Sequence, residues 1–398
     1  MEHLISVIIP VFNKEKRLAN AIESVLKNKN ECQIIIVDDG STDMSGEIAD
    51  KYAENYKNIR VIHQDNQWVY AAFNNGIKAT STEYFYILNA DDQLYENSID
   101  IMISLLKKHK YPDVIWTRCE LFYGGDLDNN WKMIPMDAGN ISETIMRTKN
   151  EVLNNWPYLF ENRFVENQAN LYRRELALKH QFRNDVYAAD GLFNIQIAND
   201  IKSAIIMDKP VYKYYRYAAI NENISNGKFY PYQHNLNNEI FNGHKQILEK
   251  LKTYNESKKV LCAWRLLEFM SELNILCSNE CKYSLENKID HILGEFYDEI
   301  ILSSAKCLGR EKEIEGRVLF FLRNLFLKET IDSNSRYYFA YQLIQGLNRF
   351  ENDEKDIEII EKAVNNPLNK NKLGNLFLND LRVTNNEKDN DYARERIF

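Results

Sequence analysis

Gln33-Ile34-Ile35-Ile36-Val37-Asp38-Asp39-Gly40-Ser41-Thr42-Asp43 runs a near-continuous apolar stretch straight into an acidic, turn-forming one. An unbroken apolar strand is what a parallel sheet covered on both faces requires, because neither face meets water. The same alternation repeats outward from it. Ser6–Pro10 reads as a preceding strand, followed by a helix with Leu18, Ile22, Val25 and Leu26 on one face. Downstream, a second helix carries Ile48, Ala49 and Tyr52, Arg60–His63 is a third strand and Ala71–Ala79 a third helix. Tyr84–Leu88 is a fourth strand running into Asn89-Ala90-Asp91-Asp92, and Ser98–His109 with Asp113–Arg118 complete the series. Strand and helix in turn specify an α/β unit with a mostly parallel sheet. Ligands of such sheets bind beyond the carboxyl ends of the strands.

Residues 119–165 lose this regularity and are rich in Trp, Asn and Asp, including Tyr123-Gly124-Gly125-Asp126, which reads as loop beside a site. Order returns as a helix at Asn170–His180 and a strand at Ser203–Met207, with Pro210–Tyr217 following. From 236 to 382 the chain reads as helical, with almost no Gly or Pro, so the expected division is a domain over 1–235 and an all-α domain over 236–398. The apolar faces at Leu261, Leu266, Leu267 and Met270, and again at Val318–Leu327, need cover. A self-contained bundle supplies it, or else a homodimer surface or a docking face for a membrane or partner enzyme. The tail Asn385–Phe398 is polar and reads as frayed.

At 398 residues the chain holds roughly two or three domains. Hydrophobic residues make up 44% and charged residues 27%, with 14 Gly and 7 Pro, which excludes disorder and low-complexity classes. The net charge of −8 gives no global field for nucleic acid or anionic lipid, so an anionic substrate needs a local device. Apolar runs such as Ile34–Val37 fall far short of the roughly 18–20 residues that span a bilayer. The start Met1-Glu2-His3 is not that of a signal peptide, and the chain reads as soluble and cytoplasmic, with peripheral attachment at the inner face of the membrane as a further option. Six scattered cysteines fit reduced thiols.

Asp38 and Asp39 follow the second strand, and Asp91 and Asp92 follow the fourth, so both pairs are expected on one edge of the sheet. Clustered carboxylates repel, and a cation or hydrogen-bond donors must join them. A divalent ion bridging to a diphosphate does so, because Mg²⁺ and Mn²⁺ take one or two carboxylates plus phosphate oxygens. The alternative is that these aspartates cap turns and helices. No G-x-S-x-G, phosphate-loop or G-x-G-x-x-G sequence offers a rival chemistry.

Ser6-Val7-Ile8-Ile9-Pro10-Val11-Phe12-Asn13, Ile36-Val37-Asp38-Asp39-Gly40-Ser41-Thr42-Asp43 and Leu88-Asn89-Ala90-Asp91-Asp92, in this order and spacing, resemble the family 2 glycosyltransferases. The resemblance covers residues 4–118 strongly and continues more weakly to 217. It implies a GT-A fold and an inverting, nucleotide-sugar-dependent enzyme. Pro10, Phe12 and Asn13 would line the nucleoside pocket, and Asp39 would accept the imide N–H of a uracil, favouring a UDP-sugar. Asp91 would be the ligand for Mn²⁺ or Mg²⁺ in the DxD-type motif. Asn89, Ala90 and Asp92 would line the metal and sugar, together with Asn74 from Asn66–Gly76. The acceptor implied is a glycan or a lipid-linked hydroxyl, of the kind found in bacterial capsule or other surface polysaccharide.

Three positions depart from the family pattern. Asn89 stands where the motif usually begins with Asp, Trp68 takes a common glycine position, and Phe73 takes a common arginine position. Lys213 or Arg216 is the substitute expected to bring positive charge to the diphosphate. The segment Tyr187-Ala188-Ala189-Asp190-Gly191-Leu192-Phe193 resembles the one supplying the catalytic base, with Ala189 in place of the first acid and Asp190 as the second. Asp190 is thus the candidate base, and a helix N-cap is the plainer role for it. The reading is a metal-assisted inverting transferase with a hexosyl or N-acetylhexosaminyl donor. The competing one, motivated by Asn89, Phe73 and Ala189, is a non-catalytic sugar-nucleotide or glycan-binding protein.

Overall fold

The structure, a computed structural model, describes residues 3–28, 32–123, 131–135, 141–165, 169–186, 189–217 and 228–328. In chain order, β1 (Ile5–Val11), α1 (Leu18–Leu26), β2 (Gln33–Asp38), α2 (Ser45–Asn55), β3 (Ile59–His63), α3 (Val69–Ala79) and β4 (Tyr84–Ile87) form the expected alternation. Next come β5 (Gln93–Leu94), α4 (Ser98–Lys108), β6 (Val114–Tyr123), β7 (Lys132–Pro135), β8 (Thr144–Met146), α5 (Lys149–Asn154) and α6 (Trp156–Glu161). β9 (Leu171–Arg173), α7 (Arg174–Lys179), α8 (Ala189–Ile197) and β10 (Ala204–Arg216) precede five helices. These are α9 (Gln233–Lys250), α10 (Tyr254–Leu276), α11 (Leu285–Phe296), α12 (Glu299–Leu308) and α13 (Glu311–Lys328). The helices expected beyond 328, the polar tail and Gly124-Gly125-Asp126 lie outside the described residues.

The strands form one sheet in the order β3-β2-β1-β4-β9-β6-β10-β5, with β7 on β6 and β8 on β10. The β3-β2-β1-β4 half is wholly parallel. β6 and β10 also pair parallel, while β5, β7, β8 and β9 join antiparallel as short strands, so the sheet is mixed with its long strands mostly parallel, as expected. Chain direction around β1 diverges to β2 on one side and β4 on the other. That crossover point is where a cleft opens at the carboxyl edge. The strands β1 and β2 are buried along almost their whole length, which explains their unbroken apolar runs. On one face Val7, Ile9, Ile36 and Tyr86 pack with Leu18, Ile22, Met102 and Leu106. On the other, α3 comes so close that a Cβ on Gly76 would lie 2.4 Å from Ile8 Cγ2.

Two expectations about the irregular region need correction. Asn170–His180 is not one helix, because Leu171–Arg173 pairs antiparallel with both β4 and β6 before α7 begins. Tertiary pairing there overrides a locally helical pattern. Residues 119–165, expected to be loop, contain the end of β6 together with β7, β8, α5 and α6. Ser203–Met207 and Pro210–Tyr217 merge into β10, with register shifts on either side of Pro210, which has no N–H for the ladder.

The chain divides into two compact units, Met1–Asn226 with Asn235–Leu261, and Gly227–His234 with Cys262–Phe398. This differs from a division at 235/236, because α9 packs into the first unit. Trp156 Nε1 donates to His244 Nδ1 at 3.1 Å, Arg183 pairs with Glu239 at 2.9 Å, and a Cβ on Gly243 would lie 2.8 Å from Ile195. In the second unit Leu266, Phe269, Leu273, Ile292, Phe296, Val318 and Leu325 share one core, so Leu266, Val318 and Leu325 of the two apolar faces are covered within the bundle. Leu267 remains exposed. No helix among the described residues is long and apolar enough to cross a membrane.

Candidate active site

The β1–β4 ladder ends at the pair Ile8 and Ile87, with one further bond from the Leu88 N–H to the Ile8 carbonyl. Pro10 follows where that ladder has ended, so its missing N–H costs nothing, and the two chains part. Phe12, 38% exposed, sits at this opening. Asn13 has φ +52°, which its short polar side chain tolerates. Its Oδ1 accepts from the Thr42 N–H at 2.8 Å and its N–H donates to Ser41 Oγ at 3.1 Å, pinning the loop after β1 to the loop after β2.

The acidic pair after β2 splits its work. Asp38 accepts from the Ser41 N–H at 3.1 Å and meets His63 Nδ1 at 2.9 Å, and Asp38 with Asp50 draws the His63 pKa upward. Asp39 is buried, its Oδ1 held by Gln64 Nε2 at 2.7 Å and the Gln67 N–H at 2.9 Å. No described residue donates to Oδ2, which leaves that oxygen for a ligand donor. Gly40 makes the turn possible, with φ +75° and a would-be Cβ only 2.8 Å from the Asn66 backbone nitrogen.

Asp91 and Asp92 also differ. Asp92 is 1% exposed and spends both oxygens on the sheet: Tyr212 Oη donates to Oδ2 at 2.6 Å and the Tyr215 N–H to Oδ1 at 2.8 Å. Burial, and then the neighbouring Asp91 charge, pushes its carboxyl well above the usual range against these bonds. Asn89 Nδ2 also reaches Asp92, at 3.3 Å, and Ala90 is buried between. Asp91 instead points a side chain 25% exposed toward Lys14, whose Nζ lies 2.6 Å from Oδ2. Tyr217 Oη donates to the Asp91 carbonyl at 2.7 Å, and Arg17 lies over the Tyr217 ring at 4.0 Å. The acids thus gather at one edge, and the ammonium of Lys14 meets one of them, Asp91. A partly exposed carboxylate still suits a divalent ion that draws its other ligands from phosphate.

Asp190 lies in the first turn of α8, where its Oδ1 accepts from Tyr70 Oη at 3.0 Å. Tyr187 and Ala188 of its segment lie outside the described residues. Phe73, in the place of the family arginine, is buried and builds an aromatic cluster with Tyr70, Phe182 and Phe193 beneath this turn. Asn74 uses both ends of its amide on the Phe182 backbone, at 2.7 and 3.0 Å, so it positions the chain leading to Asp190. Lys213 lies over the Tyr95 ring at 4.5 Å and burial lowers its pKa, while Arg216 lies 5.9 Å from the Tyr214 ring. Lys14, not either of these, is the cation on Asp91. Lys14, Tyr70, Tyr212 and Tyr217 escaped sequence reasoning because their partners lie 77 to 126 residues away.

Residues 6–179 match the model of glycosyl transferase family 2. The uncharacterized glycosyltransferase EpsJ of Bacillus subtilis is 29% identical over 257 residues, 63% of this chain and 70% of that protein. Glycosyltransferase GlyG of Streptococcus pneumoniae is 40% identical over 117 residues, 29% of this chain and 38% of GlyG, so the match spans little more than a third of that relative. Among solved structures, S. aureus TarS 1-349 has a TM-score of 0.50 at 17% identity, covering 81% of this chain and 90% of that one. Its complex with UDP-GlcNAc gives 0.52 at 17%, covering 79% and 90%. At such identity the likeness is one of fold, and it agrees with a GT-A sheet carrying a helical C-terminal region. Family model, relatives and fold converge on the α/β region that opens at the β1–β4 cleft, where residues 6–179 match glycosyl transferase family 2.

Proposed function

We propose that the protein transfers a sugar, with inversion, from a UDP-sugar to a glycan or lipid-linked hydroxyl, using Mn²⁺ or Mg²⁺ at Asp91 and Asp190 as general base. The observation that carries this is the division of labour at the cleft, where Asp39 Oδ2 takes no donor among the described residues and the partly exposed Asp91 carboxylate meets Lys14 through Oδ2 alone of its oxygens, while Asp38 and Asp92 are fixed by the protein. Asp39 accepts a hydrogen bond from the uracil imide N–H and Phe12 offers its exposed ring to the base. The ion, when bound, offsets the charge that grows on the departing diphosphate. Lys14 lends positive charge to the same edge. Asp190, held by Tyr70, takes the acceptor proton, a role worth about 10²–10⁴ in rate. The UDP-GlcNAc complex of TarS makes an N-acetylhexosamine the first donor to try. A panel of sugar nucleotides with Mn²⁺ and Mg²⁺, read by UDP release and by the anomeric configuration of the product, tests the reading. Turnover with inversion supports it; UDP binding without turnover in the presence of acceptors assigns the protein to the binding class.

A further inference from the structure

Trp68, just before α3, has φ +75° and ψ +160°. Glycine adopts that conformation readily, whereas a residue with a Cβ keeps it only where the surrounding structure fixes it. The chain is fixed on both sides here. Before Trp68, the Gln67 N–H and Gln64 Nε2 donate to Asp39 Oδ1 at 2.9 and 2.7 Å, and Gln64 Oε1 accepts from Asn75 Nδ2 at 2.7 Å. After it, the Trp68 carbonyl accepts from the Ala71 and Ala72 N–H groups at 3.1 and 3.2 Å and so opens the helix. The side chain is 52% exposed, so core burial does not offset the strain. Strain held without such an offset points to use by a ligand.

The sheet says where that ligand lies. β3, β2 and β1 are adjacent and parallel, and the segments that follow them leave at one edge in the order Trp68, Asp39, Phe12. Asp39 is in the middle, with no described residue donating to its Oδ2. Phe12, exposed, flanks it from the β1 side and Trp68 from the β3 side. Tyr56 and Tyr111 are exposed as well, but they precede β3 and β6 and belong to the opposite edge. A planar base whose imide edge meets Asp39 turns its two faces to the two flanking segments, and aromatic rings are what such faces stack on.

We propose that Trp68 is the second wall of the base site, its indole stacking on the nucleobase held by Asp39, opposite Phe12. This rests on the UDP-sugar reading above and adds a binding residue to it. The test titrates the full chain and its variants with UDP and with UMP by calorimetry, with tryptophan fluorescence and Tm alongside. Trp68→Gly should weaken both nucleotides by the same factor, about 10-fold or more, because the lost contact is to the base. Its Tm should rise, because glycine takes φ +75° without strain. Trp68→Phe keeps a ring and should keep most of the affinity, while losing the tryptophan quenching that UMP causes in the unaltered protein. Affinity unchanged in Trp68→Gly overturns the proposal, whatever its Tm. A loss seen with UDP but not with UMP places Trp68 at the diphosphate and overturns it too, as does UMP quenching undiminished in Trp68→Phe. Binding that is lost in Asp39→Asn but unchanged in Trp68→Gly keeps the UDP-sugar reading and removes Trp68 alone. Failure of both nucleotides to bind the unaltered protein overturns the two together.

Discussion

Asp91 and Asp92 are neighbours in sequence and opposites in role. Asp92 accepts from Tyr212 Oη and the Tyr215 N–H, and removing it strands two buried donors. Asp92→Ala should therefore lose roughly 1–3 kcal/mol of stability in a denaturant melt. Asp91→Ala should lose less, since its side chain is partly exposed and holds one ion pair, with Lys14, rather than two buried donors of the sheet. It should lose metal-dependent UDP release. A pair of melts and activity assays that came out the other way round would exchange the two roles. Asp190 invites a similar separation. Asp190→Asn should keep UDP-sugar binding and cut turnover by about two orders of magnitude or more, whereas a mere cap tolerates Asn. Tyr70→Phe removes the hydrogen bond at 3.0 Å and should lower kcat with KM for the donor little changed. In an Asp190→Asn background it should cost almost nothing further; additive losses would make Tyr70 only a packing residue.

At the scale of elements, the sequence was most readable where one strand decides its own burial. β1, β2 and β4 carried their fold in runs such as Ile34–Val37, because a strand covered on both faces has no other composition available. β9 was misread because three residues wedged between β4 and β6 carry no period of their own. Asp39 and Asp91 were legible as strand-end carboxylates, whereas the burial of Asp92 depended on where β10 returns in the sheet. The helical unit adds a pH prediction. Burial, then the Glu272 charge, raises the Glu295 carboxyl to about 7 from 4.5, against smaller opposite effects of His234 and Arg265. His291 on its own helix lies 4.0 Å from its other oxygen. Because the folded state holds this proton more tightly than the unfolded chain, its stabilising contribution is full below about pH 4.5 and is lost as pH rises through about 7. The protein should thus melt at falling temperature across that window, and Glu295→Gln should flatten the slope. An unchanged slope would place the titration elsewhere.

For the molecule as a whole, the boundary that matters is where the α/β unit ends. Composition placed the change at 235/236, where the helical pattern takes over, but a helical pattern does not say which core a helix joins. Leu236, Ile240, Phe241, Ile247 and Leu248 of α9 are buried, and His244 sits against Trp156 and Phe160, its pKa pulled down to about 3 by complete burial. Cutting at 235 would strip these contacts and open the surface around Trp156 and Ile195 to water. Burying one such large apolar side chain is worth about 1.5–3 kcal/mol, so several of them exceed what a marginally stable domain can lose. A fragment ending at 261 retains Asn235–Leu261 with the rest of its unit. It should stay monodisperse and bind UDP with an affinity near that of the full chain, measured by calorimetry. The fragment ending at 235 should aggregate or melt at lower temperature. Equal behaviour of the two fragments would mean that α9 is an attachment to the α/β unit rather than part of its core.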